Sequence, residues 1–559
     1  MTKFAQWTNE KLTAQSVFPR LDINSYLENI EYADEIKHLV NIGCGGFCIF
    51  QGNIKNVKNV ISELQMLAEI PLLFCADFEN GLSMRLEDGT SFPHSMALGK
   101  TGNFTADVAK AIAKEAKELG VFWNLAPVCD INSNPKNPVI NIRSFGAEKN
   151  IVEKNALLYI NATQSENIIS CAKHFPGHGD TETDSHSSFP VLNKTLNELE
   201  NNELTPFVAA INANVKSIMI GHLIVEKLEN NNENFKNNEY SDKQIPASLS
   251  KAIVTDLLRK KLNYQGLTVT DGLDMKSITN KFDSKEIAEF GLNAGIDVFL
   301  IPENPKEVIK EIKKIIEANN EIRNNLVESV KRIYDLKVWT KLIPRFTKLD
   351  GTVKSFNEHS KLALRAALEA TECIIENPNN SNNQNNSENF ENSNNETEKL
   401  NNSKNPNNEI EKLIQIPENK NYAAFSIIQK NEDIQAASRF FTMLAGATEN
   451  DCDYAYLDEN IEDDELKNMK SGIIFAEFII FALFFRGRGY SDSLGSAKKL
   501  NKIIDFLADN RKYIVIFFGD PYLAKEIKNE TKILTFSDSF ASLAAAVMKL
   551  TGRQLPDEY

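Results

Sequence analysis

IISCAKHFPGHGDTETDSH, residues Ile168 to His186, sets an apolar run directly against a segment crowded with polar side chains. Its first eight residues read as a strand, and Pro176, Gly177 and Gly179 argue against a helix after it. The same pattern recurs in GGFCIF (45–50), PLLFCAD (71–77), VFWNLAP (121–127), SIMIGH (217–222), GLTVTDG (266–272) and DVFLIP (297–302). Longer amphipathic segments separate these runs, and strands alternating with helices imply parallel βαβ units. Seven strands are legible, and polar residues gather where each apolar core ends. A (β/α)8 TIM-type barrel keeps its active site on that face. An open doubly wound sheet would also place its site at the strands' carboxyl ends, but seven strands without a GxGxxG turn favour the barrel.

Outward from the barrel, Ile309, Ile312, Ile315 and Ile316 fall at helical spacing within residues 303–372, and a second helical stretch lies around Leu362 to Ala370. Residues 376 to 408 are so rich in Asn and so poor in large apolar side chains that burial cannot offset the entropy of ordering them. Beyond them YAAFSII, DYAYLD, YIVIFFG and KILTFSD alternate with helical segments such as Ser496 to Asn510. The expected organisation is a catalytic barrel over 1–345, a helical linker over 346–375, an Asn-rich disordered loop over 376–410 and a smaller α/β sandwich of about five parallel strands over 411–559.

Composition narrows the function. The chain has 559 residues, 42% of them hydrophobic and 25% charged, enough for a large core and at least two domains. A formal net charge of -15, with no stripe of Lys and Arg to offset it locally, repels a phosphate backbone and argues against a nucleic-acid partner. Five of the seven cysteines (Cys44, Cys48, Cys75, Cys129 and Cys171) lie in apolar segments and read as small buried hydrophobes. No second Cys or His pair sits near Cys44 and Cys48, so neither a metal nor another cofactor is expected. The apolar run Ile473 to Phe485 carries Glu477 and is too short to span a bilayer, so a buried strand is expected there. The N-terminus lacks an unbroken apolar core of the secretory type, from which cytoplasmic residence is expected. Oligomeric state is left open.

The segment Lys173 to His186 holds three of the seven histidines. Its Pro and Gly residues keep His174 and His178 off a shared helical face, which disfavours a zinc site of the HExxH kind. Asp184 and His186, one residue apart, can meet, and a carboxylate beside imidazole fixes its tautomer and stabilises imidazolium, as a proton donor and acceptor requires. A loop stapled by the same hydrogen bond is the alternative. Asp271 follows the β-rich run Leu267 to Thr270 and would be aimed into a barrel pocket, although Asp-Gly is also a common turn and Asp274 is a rival. Asp77 and Arg85, Arg143 in NPVINIRSFG, and Lys173 with His174 could ring a sugar through charge-assisted hydrogen bonds.

These motifs resemble family-three glycoside hydrolases, specifically the bacterial β-N-acetylglucosaminidases, whose signature KHFPGHGDT followed by Asp-Ser-His is matched here without gaps. ADFENGLSMRL, NLAPVCDINSNPKNPVINIRSFG, ELTPF, IPASLS and VTDGLDM extend the likeness through most of residues 35 to 300. The resemblance implies Asp271 as nucleophile, His186 as acid/base oriented by Asp184, and Asp77, Arg85, Arg143, Lys173 and His174 as sugar-binding residues. Phe78, Asn80 and Leu82 depart from the Gln, Gly and Arg of many single-domain members. The implied activity is that of a retaining exo-β-N-acetylglucosaminidase acting on sugar or muropeptide substrates through a covalent glycosyl-enzyme. Imidazole in place of a second carboxylate would also suit an anionic acceptor, so a phosphorylase is a competing reading. A non-catalytic amino-sugar sensor is a third.

Overall fold

The computed structural model describes residues 3–182, 189–229, 244–343, 356–375, 415–416, 420–428, 433–448, 452–458, 461–485, 493–528 and 531–555. Two compact units divide the chain. One comprises Met1–Ser91 with Leu98–Leu362, the other Phe92–Ala97 with Ala363–Tyr559.

The first unit is a closed parallel barrel. Its strands are β1 (Val17–Phe18), β2 (Arg20–Asp22), β3 (Gly46–Phe50), β4 (Leu73–Ala76), β5 (Trp123–Asn124), β6 (Ile169–Phe175), β7 (Ser217–Ile220), β8 (Leu267–Thr270) and β9 (Phe299–Leu300). From β2 to β8 each strand pairs in parallel with the next, and β1 pairs in parallel with β9. Thr270 and Val298 close the ring, Thr270 N donating to Val298 O at 3.1 Å. β1 and β2 are one staggered strand broken by Pro19, so the described residues supply eight strand positions where the sequence pattern showed seven. Pro19 cannot donate to a ladder, yet its carbonyl still accepts from Cys48 N at 2.9 Å.

Inside the barrel Phe18 packs edge-on against Trp123 at 5.6 Å, within a core that includes Cys48, Leu73, Cys75, Ile169, Cys171, Leu267 and Val298. Trp123 Nε1 donates to Ser217 Oγ at 2.8 Å, so the indole enters the core without an orphaned donor. Cys44, Cys48, Cys75, Cys129 and Cys171 are buried free thiols. Outer helices begin at side-chain caps, such as the reciprocal Asp283–Glu286 pair before Ser284–Ala294, and that helix ends on Gly295 at φ 90°.

The helices Pro305–Ala318 and Asn320–Trp339 follow the barrel, and Asn357–Ala370 leads out of it. Its successor departs from the expected helical linker: Glu372–Ile375 is a strand, β10, paired antiparallel with Thr531–Leu534. Isoleucines at 374 and 375 favour extended backbone where a free sheet edge is available. The second unit orders its strands β10-β15-β14-β13-β11-β12, with β11 (Tyr422–Ile428), β12 (Cys452–Asp458), β13 (Phe478–Phe485), β14 (Lys512–Gly519) and β15 (Thr531–Leu534) parallel. Every residue of β13 is buried, which accounts for residues 478–485 of the apolar run; Ile474 and Phe475, ahead of the strand, are exposed. Among the described residues no helix is long and apolar enough to cross a membrane. The Asn-rich stretch expected at 376–410 lies wholly outside the described residues.

Candidate active site

At the carboxyl ends of the barrel strands a cavity of about 620 Å³ is lined by residues that include Asp77, Arg85, Asp271 and Asp274. Asp271 is the first residue after β8; its backbone N–H donates to Ile220 O at 3.0 Å, which continues the ladder and aims the side chain at the strand ends. Its Oδ1 accepts from Gly272 N–H at 2.8 Å. Burial opposes the charge, but His174, His222, the Gly272 N–H and Lys173 hold the carboxyl below its ordinary pKa, so it is ionised at neutral pH.

His222 braces the same turn from the end of β7. Its Nε2 lies 3.0 Å from Gly272 O, so that nitrogen carries the proton and donates, while Nδ1 accepts from Ser248 Oγ at 2.7 Å. Burial lowers its pKa and keeps the ring neutral. The arrangement fixes the peptide next to Asp271.

Beneath the cavity runs a charged lattice. Lys173, inside β6 and not beyond it, donates to Asp77 Oδ1 at 2.8 Å and contacts Glu79 Oε1 at 2.7 Å. Arg85 binds Asp77 Oδ2 at 2.6 Å, and Arg143 clasps both oxygens of Glu79 at 3.0 and 2.8 Å. Burial works against both carboxylates, yet these cations hold Asp77 below and Glu79 well below the usual range. Arg143 reaches the lattice from a 3-10 turn, Asn141–Arg143, and not from a strand end.

His174 also lies in β6, with Nδ1 2.7 Å from Asp130 Oδ2 and Nε2 3.4 Å from Arg143 Nη2. Since guanidinium only donates, Nδ1 carries the ring proton and donates to Asp130. Asp130 also accepts from the backbone N–H of His178 at 2.7 Å and so ties strand to loop. Burial lowers the pKa of His178 to about 4, which keeps it neutral.

The loop after β6 is stapled residue by residue. Asn137 Nδ2 donates to His178 O at 2.8 Å, Ser133 Oγ to Asp180 Oδ1 at 3.3 Å, and Lys194 pairs with Asp180 at 2.8 Å and with buried Glu203. At Gly179 a Cβ would meet Ile131 O at 1.8 Å, so the close approach of two backbones requires glycine there. This fixed stretch runs to Thr181; Asp184 and His186, assigned as the acid/base pair, lie outside the described residues.

Of the residues singled out in the sequence, Asp77, Arg85, Asp271 and the rival Asp274 line the cavity together. Lys173, Arg143 and His174 meet carboxylates behind it. Glu79, Asp130 and His222 were missed. Asp130 ends VFWNLAPVCD as Asp77 ends PLLFCAD, a signal that could have found it; Glu79 and His222 are lone residues whose partners lie far along the chain. Among the described residues no group of three or more His, Cys, Asp or Glu is placed to hold a metal ion.

Residues 23–336, more than half of the 559, match the glycosyl hydrolase family 3 N-terminal domain. A β-hexosaminidase A of Pseudoalteromonas piscicida is 35% identical over 318 residues, which are 52% of this chain and 53% of that protein. The chain thus aligns with about half the length of that relative. A family 3 β-N-acetylglucosaminidase from a Paenibacillus species superposes with a TM-score of 0.78 at 22% identity, over 99% of this chain and 98% of that one. A β-glucoside phosphorylase superposes with a TM-score of 0.75 at 19% identity, over 99% and 93%. Both share the fold.

Proposed function

The chain belongs to glycosyl hydrolase family 3, and from that premise we propose that it is a retaining exo-β-N-acetylglucosaminidase. The observation that carries the reading is Asp271, an ionised carboxylate at the end of β8 facing a cavity shared with Asp77 and Arg85. In the proposed first step Asp271 attacks the anomeric carbon while His186, oriented by Asp184, protonates the leaving oxygen. In the second, His186 takes a proton from water, which releases the sugar with its configuration retained. Asp77 and Arg85 are the groups in the cavity wall suited to the sugar hydroxyls. Lys173, Arg143 and His174 complete the proposed sugar-binding set, next to the carboxylates Asp77, Glu79 and Asp130 that they contact. The names of related proteins, a β-N-acetylglucosaminidase among them, support N-acetylglucosamine as the glycon. Peptidoglycan fragments as substrate and residence in the cytoplasm belong to the same proposal, the latter supported by seven free cysteines.

Imidazole at the acid/base position favours phosphorolysis as the second reading, since phosphate approaching neutral imidazole meets no like charge. The decisive experiment incubates the protein with a fluorinated N-acetylglucosaminide that traps the glycosyl-enzyme, then maps the label. A label on Asp271 is expected; a label elsewhere, or turnover with no covalent species, refutes the mechanism. Free N-acetylglucosamine released at the same rate with and without phosphate establishes hydrolysis. A sugar 1-phosphate as product establishes phosphorolysis, and binding without cleavage establishes a sensor.

A further inference from the structure

The cations around the cavity fall into two sets. The deep set is fully engaged: Lys173 is shared by Asp77 and Glu79 at 2.8 and 2.7 Å, Arg85 meets Asp77 at 2.6 Å, and Arg143 grips Glu79 with two donors. The outer set is not. Arg20, in β2, contacts Asp274 at 3.6 Å, with both side chains partly open to solvent at 43% and 34%. Lys276, two residues beyond Asp274, is exposed on the cavity wall, and no carboxylate pairs with it among the described residues.

Arg20 is nonetheless held in place. Its guanidinium lies over the Phe50 ring at 3.9 Å, on the ring that also receives Arg85 at 4.6 Å. Stacking of this kind restrains the planar fork while leaving its N–H donors to point outward, which lowers the entropy lost when an anion arrives. Burial raises the pKa of Asp274 against the pull of Arg20. Arg20, Arg85 and Lys276 line the cavity together with Asp77, Asp271 and Asp274; Arg85 is engaged by Asp77, Arg20 is held loosely by Asp274, and Lys276 has no carboxylate partner among the described residues.

We propose that Arg20 and Lys276 form a subsite for an anionic group, a carboxylate or a phosphate, carried by the glycoside that Asp271 attacks. This rests on the glycosidase reading above and adds substrate class to it. The anion can belong to the aglycone or to the amino sugar itself, as a phosphate ester at O6; the chemistry recognised is the same.

Two matched pairs distinguish the sources. The first compares kcat/KM for phenyl and 4-carboxyphenyl β-N-acetylglucosaminides; the second compares inhibition by N-acetylglucosamine and by its 6-phosphate. In one pair the anionic member is expected to be favoured about tenfold over its neutral twin at low salt, as a charge-assisted contact supplies. That advantage shrinks toward unity near ~1 M salt, where screening is almost complete. In Arg20→Gln and in Lys276→Gln it falls to about threefold or less. The pair that shows the advantage identifies where the anion sits. No advantage in either pair, or one undiminished by both substitutions, overturns the proposal. Every reading is a ratio to a neutral twin, so turnover of the phenyl glycoside reports separately on the glycosidase reading. If that turnover is absent, calorimetry with the neutral and phosphorylated sugars still decides the subsite.

Discussion

The two ends of the barrel bury the same kind of chemistry and use it differently. At the amino end of the strands Asp297, fully buried, receives Arg259 at 2.6 Å, Arg332 at 3.0 Å, and the backbone N–H and hydroxyl of Thr268 at 2.9 and 3.1 Å. At the carboxyl end Asp77 and Glu79 are gripped as tightly, but Asp271, beside them, has one recorded hydrogen bond among the described residues, from its own neighbour Gly272. Burial opposes the charge of Asp297 and of Asp271 alike, and surrounding positive groups and donors restore it in both. A carboxylate saturated by partners is part of the architecture. One kept ionised by charges it does not touch, and left with free lone pairs facing a cavity, is available for chemistry.

The largest expected effect breaks this contrast at the carboxyl end. Asp271→Asn keeps the shape and the acceptor for the Gly272 N–H but removes the nucleophile, so kcat on a nitrophenyl N-acetylglucosaminide should fall by about 10³-fold or more. The melting temperature should move by no more than about 2 °C, since no buried ion pair is broken. Retained turnover would show that Asp274 or another group attacks.

The amino end should respond in the opposite way. Asp297→Ala leaves Arg259 and Arg332 facing a buried gap, and losing one member of such a cluster costs about 3–5 kcal/mol of stability. Below its unfolding transition the variant should keep wild-type kcat. A fall in kcat comparable with that of Asp271→Asn would mean that the two ends are energetically coupled and the contrast is false.

The same contrast decides what could be read in the sequence. Strand-end carboxylates such as Asp77 and Asp271 were legible because each is adjacent to its own apolar run. β1 and β2 were not, since Pro19 splits them into two and three residues, too short for either to register as a strand. Glu79 and Asp130 find their partners 64 and 44 positions away, Arg143 and His174, pairings of which spacing carries no trace, although the place of Asp130 after an apolar run marks the residue itself. β10 escaped notice for a related reason: four residues become a strand because β15 offers them an edge. Lys173 was expected among the sugar-binding residues, and its Nζ is engaged by two carboxylates, Asp77 and Glu79, that only the closed barrel brings to it.

Lys337 sharpens the comparison with the smallest expected effect. It is fully buried near Cys44, and its Nζ donates to Gln15 Oε1 at 3.0 Å while Gln15 Nε2 donates to Gly43 O at 2.8 Å and Cys44 O at 3.2 Å. Burial lowers its pKa to about 7, and the Cys44 thiol, itself pushed up to about 12 by burial, offers no useful counter-charge. Between the folded value near 7 and the unfolded value near 10.5, the unfolded chain holds more protons than the folded one, so this group makes stability rise with pH across that window. Below about 7 both states are protonated, and the full cost of burying the charge is present. Lys337→Met should therefore stabilise the barrel by about 1–3 kcal/mol at pH 6 to 7, less the hydrogen bond lost by Gln15, with the gain shrinking as pH approaches 10. Urea unfolding of both proteins at pH 6, 8 and 10 measures it. A gain that stays constant, or grows, with pH would show that the ammonium is already neutralised by a partner, and that the amino end leaves no buried charge uncompensated.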